Sequence, residues 1–106
     1  MKIGIVIYSG DSETVWNAFR FGIFALAMDD EVRVFLLGKG VESELIDTDK
    51  FKVTEQLQTF VNNGGRILAC GTCLEIHQLE ASEMFTVATL NDLYDILKGS
   101  DMIVTF

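Results

Sequence analysis

Apolar residues fall in short blocks whose spacing alternates along the chain between that of a strand and that of a helix. Lys2 to Tyr8 carries Ile3, Ile5, Val6 and Ile7, dense enough for a strand buried on both faces. Ser9-Gly10-Asp11-Ser12 interrupts the run, and Asp11 or Ser12 can cap a helix with Glu13 in its favourable first turn. That helix is predicted to reach Ala27 or Met28, because Val15, Phe19, Ile23 and Leu26 recur on one stripe. Trp16, Phe21, Phe24 and Met28 widen the stripe past one face, while Asn17 and Arg20 supply little polar surface. Such a helix is either deeply covered beside a sheet or presents a second apolar face to another subunit. A homo-oligomer is therefore expected.

Val32 to Leu37 reads as the second strand, ended by Gly38-Lys39-Gly40, and Val41 to Ile46 as a brief helical turn. Lys50 to Asn62 reads as the second long helix, with Phe51, Val53, Leu57, Phe60 and Val61 inward and Asn62-Asn63-Gly64-Gly65 as its stop. Arg66 to Ala69 is a third strand, followed by Cys70-Gly71-Thr72-Cys73 and a short helix over Leu74 to Leu79. Met84 to Val87 is a short fourth strand. Leu90 to Leu97 is a helix with Thr89 or Asn91 near its start and Gly99 after its end, and Met102 to Phe106 is a last strand. Strands alternating with helices predict an α/β domain whose sheet is mainly parallel, with right-handed crossovers. With no proline, repeat or linker-like stretch, residues 1–106 are expected to form one domain.

Composition narrows the partners. A hydrophobic fraction of 49% against 23% charged residues excludes a disordered chain. Sixteen acidic and eight basic residues give a net charge of -8, and the basic ones are dispersed, which disfavours nucleic acid and anionic membranes. A basic protein partner fits that field. No apolar run approaches the roughly 20 residues of a membrane span, and no export signal is evident. The expectation is a cytoplasmic protein with reduced thiols.

Both cysteines lie in the strand-to-helix turn. Backbone N–H groups and a helix dipole there favour a thiolate. Cys70, at the strand exit, is the expected nucleophile. Gly71 permits a tight bend, Thr72 can donate a hydrogen bond or cap the helix, and Cys73 can act as a resolving thiol or share a sulfur chain. His77, the single histidine, lies one helical turn beyond Cys73 and can orient or protonate sulfur. Cys70, Cys73 and His77 are one ligand short of a structural zinc site, so neither metal nor cofactor is expected. Glu75 reads as solvent-facing. Gly38-x-Gly40 lacks a phosphate-loop pattern and reads as a turn. Ser9-Gly10-Asp11 leaves another strand exit and is a candidate lining for the same crevice, although a cap is the simpler role for Asp11. No paired-carboxylate or serine-histidine-aspartate constellation is legible.

Lys2-Ile3-Gly4-Ile5-Val6-Ile7, Ile67-Leu68-Ala69-Cys70-Gly71-Thr72-Cys73-Leu74 and Val87-Ala88-Thr89-Leu90-Asn91-Asp92-Leu93 together resemble the DsrE/DsrF-like sulfur-relay family over nearly the whole chain. The resemblance implies a three-layer α/β/α domain with a mostly parallel five-stranded sheet, and a homotrimer or homohexamer. It implies a sulfur-carrier or sulfurtransferase subunit in which Cys70 forms a persulfide, exchanged with sulfur-donor and sulfur-acceptor proteins, with Cys73 as the second cysteine. Relatives often continue with an Ala-Arg-Gly-like segment where this chain has Ile76-His77-Gln78, so a cation is missing after the loop. A thiol-disulfide redox module and a noncatalytic oligomeric scaffold or regulatory subunit are the competing readings.

Overall fold

The computed structural model describes residues 1–106 and contains β1 (Lys2–Ile7), α1 (Ser12–Ala27), β2 (Glu31–Leu36), a 3₁₀ segment (Gly38–Leu45), α2 (Val53–Asn62), β3 (Arg66–Cys70), α3 (Gly71–Ile76), β4 (Thr86–Ala88), α4 (Leu90–Gly99) and β5 (Met102–Thr105). The strands form one sheet in the order β4-β3-β2-β1-β5, and every neighbouring pair is parallel. The sheet is thus wholly parallel, and the α/β expectation holds.

Handedness explains where the helices go. The chain steps from β1 through β2 and β3 to β4 in one direction, then returns to place β5 beyond β1. Right-handed crossovers put the first three connections on one face and α4 on the other. Register groups the side chains accordingly. Ile5, Val34 and Ile67 are aligned on adjacent strands, and they belong to a core of 17 buried residues shared with α1, α2 and Leu74 of α3. Phe35, Leu68, Cys70 and Ala88 join Ile96 of α4 in a second cluster of only 5.

Several boundaries move for local reasons. Asp11 caps α1, its carboxylate accepting the Thr14 backbone N–H at 3.0 Å. The second long helix starts at Val53 rather than Lys50, because Asp47 reaches forward to accept the Thr54 N–H at 2.8 Å. Phe51 is left outside it and packs edge-on against Trp16 with ring centroids 5.4 Å apart. The helix after the cysteines starts at Gly71, not Leu74, since Cys70 itself caps it. β4 is shorter and later than Met84–Val87; Met84 and Phe85 instead pack against the larger core from the preceding loop. Thr89 and Asp92 form a reciprocal capping box that starts α4. No helix is long and apolar enough to cross a membrane.

Candidate functional site

β3 and β4 are neighbours whose following helices leave toward opposite faces of the sheet. The outer carboxyl ends of two such strands enclose a crevice, the usual ligand position in an open parallel sheet. A cleft of about 540 Å³ opens there. Leu37, Cys70, Gly71, Thr72, Cys73 and Glu75 line one side, and Val87, Ala88, Thr89 and Leu90 the other.

Cys70 is the last residue of β3 and is 4% exposed, at the inner end of the cleft. Its sulfur accepts the Cys73 backbone N–H at 3.4 Å. Cys73 stands in the first turn of α3, half-buried, and its sulfur accepts the Gly38 N–H at 3.2 Å. Gly38 has φ of 55°, a left-handed conformation that glycine adopts without strain, so the second strand's turn supplies an amide to the site. Gly71 keeps the two walls close: a Cβ there would stand 3.2 Å from Val87 Cγ1. Both cysteines are free thiols.

The electrostatics divide the pair. Burial pushes the Cys73 thiol above its ordinary range, and the neighbouring Cys70 sulfur raises it further, against an opposing pull from the Gly38 N–H. Cys73 is consequently held as the neutral thiol at pH 7. α3 spans only 6 residues, so little macrodipole is available at the turn.

The other predicted residues separate. Thr72 lies exposed on the rim, and the capping role proposed for it belongs to Cys70. His77 pairs elsewhere: its Nδ1 lies 3.5 Å from Glu42 Oε1, between the end of α3 and the 3₁₀ segment. It does not line the cleft, so its expected support of sulfur chemistry is not what the geometry provides. Cys70, Cys73 and His77 do not converge as a ligand set. Ser9, Gly10 and Asp11 are also outside the cleft, and Asp11 is spent on its cap, which holds its carboxyl below the ordinary range. Leu37, Val87 and Leu90 escaped the sequence reading. The apolar strand ends on both sides of the cysteine motif were their one signal.

Comparison with known proteins bears on the family and the fold. The whole chain, residues 1–106, matches the DsrE/DsrF-like family. It belongs to that family. An uncharacterized protein of Methanocaldococcus jannaschii is 30% identical over 114 aligned positions, covering 100% of both chains. An uncharacterized protein of Methanopyrus kandleri is 29% identical, covering 89% of this chain and 83% of that one. Among solved structures, the ychN protein of E. coli superposes with a TM-score of 0.86 at 19% identity, over 100% of both chains. A Methanobacterium thermoautotrophicum protein of unknown function gives 0.76 at 14% identity, over 99% of this chain and 98% of that one. These likenesses fix the DsrE-like fold, and membership suggests a role related to sulfur relay.

Proposed function

We propose that the protein is a cytoplasmic sulfur carrier or sulfurtransferase subunit that holds sulfur as a persulfide on Cys70. The observation that carries this reading is the opening of two sulfurs, each accepting a backbone N–H, into one cleft at a topological switch of the sheet. The Cys70 thiolate attacks the outer sulfur of a persulfide R–S–SH. The donor S–S bond breaks, R–S⁻ leaves, and Cys70–S–SH remains. An acceptor thiolate then attacks the outer sulfur, and Cys70 departs as a thiolate. Cys73, held neutral, supplies an S–H beside that sulfur and stabilises the anion at each stage.

Intact mass measured after exposure to a persulfide donor should show a reductant-sensitive gain of about 32 Da, one sulfur atom. Cys70→Ser should lower loading by roughly a hundredfold or more, and Cys73→Ser by about tenfold, since a hydroxyl retains a donor. No adduct on the folded wild-type protein overturns the proposal. A loss of two hydrogens with reversible electron exchange instead supports a thiol-disulfide module, which the shared turn of Cys70 and Cys73 also accommodates.

Assembly as a homotrimer or homohexamer belongs to the same reading. Phe24 and Met28 on α1 are 63% and 62% exposed, beside a shallow groove that also involves Arg20 and Phe21. Covering that face removes apolar surface from water. Light scattering should return a multiple of the 11.8 kDa chain mass, and a single-chain mass rejects the assembly.

A further inference from the structure

The lining of the cleft restricts what can deliver sulfur to it. Leu37, Val87, Ala88 and Leu90 make its walls largely apolar, and Leu90 is 67% exposed. Apart from the thiols, Glu75 is the only ionisable side chain that lines it. A second carboxylate stands behind the opposite rim: Asp92 accepts the Thr89 backbone N–H at 2.8 Å, and Thr89 lines the cleft. No lysine, arginine or histidine lines the cleft. Lys39 adjoins Gly38, but its stem lies against Gly10, and His77 is turned to Glu42.

A dianion entering this space passes Glu75, exposed on its lining, and feels a chain of net charge -8 at long range. It also loses hydration against aliphatic walls without gaining a cationic partner. An uncharged alkyl chain gains from the same walls. Resting on the persulfide reading above, we propose that the cleft filters sulfur donors by charge, favouring alkyl persulfides, which carry at most one charge and react in their S–SH form, over thiosulfate-type dianions. With an alkyl persulfide, the Cys70 thiolate takes the outer sulfur and an alkyl thiolate leaves. With thiosulfate, the same attack yields Cys70–S–S⁻ and expels sulfite, so a dianion must sit beside the thiolate and Glu75.

The test is loading of the full chain, followed by intact mass at low ionic strength. The two donors are inorganic thiosulfate and an alkyl persulfide with no ionisable group on its carbon chain. Wild type should load at least about tenfold faster from the alkyl persulfide. Because the donors differ in intrinsic reactivity, the decisive quantity is the ratio of the two rates across variants. Glu75→Lys should shift that ratio toward thiosulfate by about fivefold or more, with Glu75→Gln between it and wild type. Added salt should move wild type in the same direction. A ratio unmoved by both Glu75 variants overturns the charge filter while leaving persulfide formation standing. Failure of every donor to load any variant overturns the persulfide reading and the filter together.

Discussion

The two faces of the sheet are built to different standards. One carries α1, α2 and α3 over a core of 17 buried residues; the other carries α4 over a cluster of 5 that includes Cys70. On the first face, Phe19 and Phe60 meet edge to face at 5.5 Å, and Gly22 and Gly65 leave the room Phe60 fills. On the second, Ile103 of β5 and Tyr94 of α4 stay exposed. The contrast teaches that the fold is secured chiefly from one side. The other side stays thin enough for the Cys70 sulfur to lie at the end of a cleft rather than inside a packed core.

The largest effect that can break this comparison comes from matched truncations. Phe60→Ala should cost about 3–5 kcal/mol and Ile96→Ala about 2–3 kcal/mol, measured by urea unfolding. Equal losses would mean that the thin face holds the fold as firmly as the thick one. Next comes the cap that positions the far wall of the cleft. Thr89→Ala should lower stability by about 1 kcal/mol while loosening the start of α4 beneath Leu90, so loading of Cys70 should fall as well. A stability loss without a change in loading would detach the second face from the site.

Two smaller effects depend on pH and sharpen the contrast. Cys73 has a folded pKa raised above its unfolded value, so its contribution to stability is complete below the ordinary thiol range. That contribution is lost as pH rises through the raised value. Cys73→Ser should therefore flatten the alkaline limb of the stability curve. Asp11, on the thick face, behaves oppositely. Its depressed pKa gives stability that is complete above about pH 4 and lost as pH falls through the folded value. Asp11→Asn keeps a capping side chain and should flatten the acid limb, as read by thermal melts between about pH 2 and pH 5.

Much of this was legible in the residues. Ile3, Ile5 and Ile7 announce a buried strand, Val15, Phe19 and Ile23 a helix against it, and Asp11 its cap, because each signal lies within a few positions. The Cys70 and Cys73 pair was legible as a strand-exit motif for the same reason. His77 shows where such inference stops. Helical spacing brought it near Cys73 on paper, but the left-handed Gln78 ends the helix there, and Glu42, 35 positions earlier, takes its imidazole. The burial that raises the Cys73 thiol was equally illegible, since desolvation depends on what packs over a sulfur.

The sequence by itself determined the order and kind of the elements, the α/β class, the acidic surface and the place of both thiols at a strand's end. Periodicity and capping act within a segment and can be read from it. Tertiary structure alone decided that the helices following β3 and β4 part to opposite faces and leave a crevice. It decided too that Leu37 and Leu90 wall that crevice, that Gly38 lends an amide to Cys73, and that Glu75 is the one carboxylate along its lining. Those facts arise from crossovers that bring distant segments to one edge of the sheet, and no local pattern encodes such a meeting.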